Sequence, residues 1–129
     1  MVHTYSDSKN IYSVDLMLAY INIFKPNDLI ISIDISNYLT TLEYKGWGDP
    51  KTKTFYSPLD VINNPKKYRD EYNRINEANL NYPIIIDKYN IIDGVHRLSK
   101  AYLLGKKSIK AYLFDKKMLK KFLINNTGN

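Results

Sequence analysis

Asp93-Gly94-Val95-His96-Arg97 gathers a carboxylate, an imidazole and a guanidinium around one glycine. The apolar pair Ile91-Ile92 precedes it. Behind it, Leu98 to Leu104 repeats at helical spacing and stops at Gly105. A strand that turns at a glycine and opens a helix leaves the first N–H groups of that helix without intrahelical acceptors. The helix dipole adds about half a positive charge at the same place, so phosphate is attracted there. Arg97 offers the forked donor geometry that phosphate accepts best, and His96 offers a second side-chain donor. The spacing therefore predicts a phosphate site at Gly94, Val95, His96 and Arg97. Asp93 and His96 are the catalytic candidates, and Asp93 is the candidate metal ligand. Taken singly, the same residues also suit plain structural roles: a turn dipeptide, a buried histidine, a solvated arginine. The phosphate reading requires a Gly94 geometry that lets the chain turn directly into the helix. It also expects Arg97 to point toward solvent in the empty protein.

Further residues could border such a site. Trp47, the single tryptophan, lies between glycines, where it could stack on a base or anchor a loop. Tyr72 and Arg74, on a charged helix ahead of the site, complete a candidate pocket with Trp47. Ordinary charge pairing on an exposed helix explains them equally well. Asp34 and Glu43 are candidates for a second acid, although structural roles fit both. His3 reads as a chain-end residue. No Gly-Lys-Ser/Thr loop, His-x-Glu pair or nucleophilic serine signature is present.

The elements that must position these residues follow from periodicity and caps. Ser13 caps a helix over 14–22, with Val14, Met17, Leu18 and Ile21 on one face. Leu29 to Ile33 is β-branched and short, a strand. A short helix over 36–44 ends at Gly46, and a loop runs to Tyr56. Ser57-Pro58-Leu59-Asp60 carries a cap, a proline at the first helical position and an acid three residues after the cap. A charged helix covers 66–78. Pro83 leads the strand Ile84-Ile85-Ile86, and residues 108–114 form another strand. A Lys-rich helix over 116–123, with Met118, Leu119, Phe122 and Leu123 on one face, closes the chain. Together these give an α+β fold in one domain, 1–129: a small mixed sheet flanked by helices, with a helix-rich N-terminal half.

The stretch from Tyr82 to Phe114 resembles the core of the ParB/sulfiredoxin-like superfamily: a Pro-led strand, a hairpin, a Gly-x-His-Arg turn, a helix and a further strand. The match covers 33 residues closely, about a quarter of the chain. In that superfamily the turn binds nucleotide phosphates, so the resemblance implies the phosphate role for Gly94, His96 and Arg97. The Asp-Gly-x-His-Arg form is most similar to small stand-alone members and to the free-serine-kinase branch, where an acid at the Asp93 position takes part in phosphoryl transfer. Two departures stand out. Sulfiredoxin has its cysteine where this chain has Val95, and the chain contains no cysteine, which excludes thiol-based sulfinic-acid reduction. The arginine-rich ParB box is reduced to Arg97, and no helix-turn-helix segment is expected after the matched stretch.

Composition narrows the classes further. At 129 residues and 44% hydrophobic, the chain suffices for one packed domain. No apolar run approaches the roughly 18–20 residues that span a bilayer. The polar start, Met1 to Asp7, is not expected to act as a secretory signal. Without cysteine, a disulfide scaffold and a Cys-ligated metal are excluded, which fits an intracellular protein. Ile, Asn, Lys and Tyr supply 58 of 129 residues, a bias of AT-rich genomes, bacterial or viral. The net charge of +6 is uneven. Residues 1–93 hold 10 Lys or Arg against 12 acids, and residues 94–129 hold 9 against one. A basic C-terminal third could steer nucleotide or DNA, or could be a solvated face. Three classes remain open: a Mg²⁺-dependent phosphotransferase or hydrolase using a nucleoside di- or triphosphate, a ParB-like DNA-binding protein or nuclease, and a catalytically silent interaction protein of the same fold.

Overall fold

The structure, a computed structural model, describes residues 3–88 and 90–126. In chain order its elements are β1 (Thr4–Ser6), β2 (Asn10–Ser13), α1 (Val14–Phe24), β3 (Ile30–Asp34), α2 (Leu39–Glu43), β4 (Trp47–Asp49), β5 (Thr54–Tyr56), α3 (Pro58–Asn63), α4 (Arg69–Glu77), β6 (Ile84–Ile86), β7 (Ile91–Asp93), α5 (Val95–Leu103), β8 (Ser108–Leu113), α6 (Lys116–Leu119) and β9 (Leu123–Asn126). Short 3-10 turns at Asn27–Leu29, Ile35–Tyr38 and Lys120–Phe122 join some of them. The strands form sheets of order β1-β2-β9 and β3-β8-β6-β7, and β4 pairs with β5 alone. Helices and short sheets mixed in this way make the fold α+β.

The chain divides into two compact units, each assembled from separate segments. One holds the residues up to Ile31, Ile85–Asp93 and those from Ala111 on; the other holds Ser32–Ile84 and Gly94–Lys110. The changeovers fall inside β3, β6 and β8, and between Asp93 and Gly94.

The first unit has a core of Tyr12, Val14, Met17, Ile85, Ile92, Tyr112, Phe114, Leu119 and Phe122. Phe114 is fully buried, stacked on Phe122 and met edge-on by Tyr20. Each such buried apolar side chain contributes about 1.5–3 kcal/mol. Ser13 caps α1, its hydroxyl accepting from the N–H of Leu16, as its sequence position predicts. The helix runs two residues past the expected 22 and ends at Lys25 in a left-handed conformation.

The Lys-rich segment departs from expectation. Asp115 caps a helix of only one turn, Phe122 closes a 3-10 turn, and Leu123 begins β9, which pairs with β2. Leu119 and Phe122 are buried, whereas Leu123 is 44% exposed and outside any helical stripe. The apolar positions 118, 119, 122 and 123 fit a helix, but pairing with β2 won the last of them. His3 is likewise no loose chain end: its N–H donates to Asp15 at 2.9 Å and β1 follows it immediately.

In the second unit α5 packs against α2, α3 and α4. Ser57 and Asp60 form a reciprocal capping box at the start of α3, with Pro58 at its first position, as the sequence indicates. The charged helix begins at Arg69, later than 66, because residues 65–68 form a turn on the Asn64 carbonyl. The span expected as a loop, 46–56, contains the hairpin β4–β5, which pairs Trp47 with Tyr56. No helix among the described residues is long and apolar enough to cross a membrane.

Candidate functional site

Gly94 separates β7 from α5. It has φ +117°, and an added Cβ would lie 2.5 Å from Ile84 Cγ2 and 2.7 Å from Ile84 Cβ. Both the backbone angle and the close approach of Ile84 therefore require glycine. The chain turns at this residue and α5 starts at Val95, as the sequence predicts. The first intrahelical bond runs from Leu98 N–H to Gly94 O, and Gly94 has no side chain to cap the N–H groups of Val95, His96 and Arg97. Leu98, Ser99 and Ala101 are the buried residues of the helix, and Ser99 donates to Val95 O at 2.6 Å.

Arg97 does not simply point toward solvent. Its Nη1 donates to the carbonyls of Tyr82 at 3.1 Å and Pro83 at 2.7 Å, and the residue is half-buried. The guanidinium thus ties the approach to β6 to the first turn of α5. The carbonyls of Tyr82 and Pro83, just ahead of β6, take this side chain as their donor. The expectation of an outward Arg97 ignored these nearby acceptors.

His96 is fixed on two sides. Its ring stacks on Trp47 with centroids 4.6 Å apart and planes 16° apart. Nε2 lies 3.3 Å from Glu71 Oε1, a hydrogen bond when Nε2 carries the proton. The same oxygen accepts from Arg74 Nη1 at 3.3 Å, one helical turn further along α4. Trp47 in turn meets Tyr56 edge-on, and Tyr56 packs on Tyr68 at 4.4 Å.

Trp47 and Arg74 border a cleft of about 380 Å³, together with Gly46, Gly48, Tyr56, Asp70 and Glu71. Of the pocket residues expected from sequence, Trp47 and Arg74 come together, whereas Tyr72 is not among those lining the cleft. Glu71 and Tyr56 were not singled out. Glu71 had one legible signal, its position three residues before Arg74, and Tyr56 had none because the hairpin that presents it is too short to show a period. Burial, then the charge of Glu71, holds the Tyr56 hydroxyl above its ordinary range.

Asp93, the last residue of β7, belongs to the first unit. It stands opposite Ile85 on β6, and its carboxylate lies 3.9 Å from His3 Nε2. Asp34 precedes a 3-10 turn without capping it by side chain, and Glu43 ends α2; both are exposed. Among the described residues no group of three or more His, Cys, Asp or Glu could hold a metal ion by itself. No protein-family model, curated protein or solved structure matches the chain.

Proposed function

We propose that the first turn of α5 binds the phosphate of a nucleoside di- or triphosphate, as the ParB/sulfiredoxin-like families do at the turn that this chain resembles. The observation that carries this reading is Gly94. Its left-handed backbone and lack of a side chain open the N-terminal N–H groups of a nine-residue helix. His96 stands on the same turn with its ring held by Glu71 and Trp47, which suits it to moving a proton at the transferring group. Arg97 positions the turn through the Tyr82 and Pro83 carbonyls.

With Mg²⁺ the activity would be phosphoryl transfer or nucleotide hydrolysis. Magnesium is commonly held by one or two carboxylates, substrate phosphates and water, and Asp93, directly before Gly94, is the carboxylate for that arrangement. The donor set fits an ion that arrives with the nucleotide rather than a resident one. The protein's share of such chemistry is positioning and charge stabilisation.

The second reading, DNA binding, draws on Lys116, Lys117, Lys120 and Lys121, all exposed. A thermal-shift screen of ADP, ATP and CTP, with and without Mg²⁺, separates the two. Ligand at 100 times its dissociation constant adds about 2.7 kcal/mol of stability. A shift with at least one nucleotide is expected. No shift with any, alongside salt-dependent binding of duplex DNA, would replace the first reading by the second.

A further inference from the structure

We propose that Glu71 is the positioning residue of His96: its carboxylate holds the imidazole proton on Nε2 and leaves Nδ1 as an unprotonated acceptor at the first turn of α5. The proton assignment stands on geometry alone, whereas its use in catalysis rests on the phosphate reading.

The two helices dictate the meeting. α5 packs along α4, and Ile75, one turn after Glu71, is fully buried, so Glu71 lies on the inward side of its helix. On α5, His96 and Lys100 are also one turn apart. His96 meets Glu71, and Lys100 Nζ donates to the carbonyls of Asn76 at 2.7 Å and Ala78 at 2.9 Å. The Lys100 clamp and buried Ile75 hold one helix in register on the other without help from Glu71.

Two constraints then orient the ring. Stacking on Trp47, with planes 16° apart, sets its plane. The approach of Nε2 to Glu71 Oε1 at 3.3 Å sets its rotation within that plane. With the ring turned over, the carboxylate would meet a C–H group in place of a nitrogen. An ionised carboxylate only accepts, so the bond requires the proton on Nε2, and in the neutral ring the other nitrogen is then bare. Nδ1 has no partner among the described residues, and the side chain is 35% exposed. In this form His96 cannot donate to a phosphate. It can take the proton of a substrate O–H, and the imidazolium so formed lies against the Glu71 carboxylate. Arg74 donates to the same oxygen but is 70% exposed, so it adds little.

The full chain, labelled with heavy nitrogen and free of nucleotide, is read by long-range proton–nitrogen correlation of its two histidine rings, at a pH where both are neutral. The His96 signals are those lost in His96→Gln. One dominant form is expected, with Nε2 protonated and Nδ1 bare. Glu71→Ala should lower the ratio of that form to its tautomer about tenfold, the scale of one hydrogen bond to a charged group. Glu71→Gln, close in shape but a neutral acceptor, should lower it about threefold. A merely structural Glu71 would change stability and leave the ratio unmoved. Circular dichroism confirms that each variant is folded, and Glu71→Gln decides alone if Glu71→Ala is not. A proton on Nδ1 in the wild type, or a ratio unmoved in either folded variant, would overturn the proposal. The phosphate reading is judged separately, from the backbone amides of α5 during titration with ATP, so either can fail without the other.

Discussion

Among single residues Gly94 bears the most. Alanine there would meet both a left-handed backbone and the Ile84 side chain, so Gly94→Ala should lose about 2–4 kcal/mol in urea denaturation. Gly105 supplies the comparison: its φ is +73°, but an added Cβ would have nothing within 4 Å. Gly105→Ala should lose only about 1 kcal/mol. Equal losses would mean that the approach of Ile84 is unimportant. Arg97→Ala should also destabilise, by about 1–3 kcal/mol, because two carbonyls lose a charged donor. That outcome departs from the sequence expectation of a solvated arginine. An unchanged denaturation midpoint would restore the earlier picture.

At the scale of elements, caps were the most legible features. Ser13 and the Ser57–Asp60 box act locally, so their residue types suffice to predict them. Asp60 also meets Lys45 Nζ at 2.7 Å. That bond first, then the Ser57 N–H, holds its carboxyl below the ordinary value of 3.8. A depressed carboxyl stabilises the fold fully above its unfolded value, and the contribution drains as pH falls below that value. Asp60→Asn should therefore cost about 1 kcal/mol at pH 7 and progressively less in acid, read from melting temperatures across pH. A loss that is constant with pH would place the effect elsewhere. β1, β4, β5 and β9 were not legible. Strands of three or four residues show no period. β6 and β7 were readable only because each opens on a continuous run of isoleucines beside a Pro or Gly signal, which β1, β4, β5 and β9 lack. β9 also draws its partner, β2, from more than a hundred residues away. Glu71 was hidden in the same way: its link to His96 spans 25 positions and crosses from α4 to α5.

At the scale of the whole molecule, the α+β class and the turn at Gly94 were readable because they depend on composition and on one local backbone demand. The division into two discontinuous units was not, since each is assembled from distant segments. The uneven charge leads to a further expectation. Changing Lys116, Lys117, Lys120 and Lys121 to Gln should leave stability nearly unchanged, because all four are exposed. It should slow association with duplex DNA and flatten its salt dependence. Unaltered association rates would reduce these lysines to a solvated face. The central claim, phosphate at the first turn of α5, is tested most directly by the backbone amide resonances of the protein during titration with ATP and with ADP. Val95, His96 and Arg97 should shift together, saturably and with one dissociation constant. Resonances that stay still at these three residues, or that move only at 116–121, would contradict it.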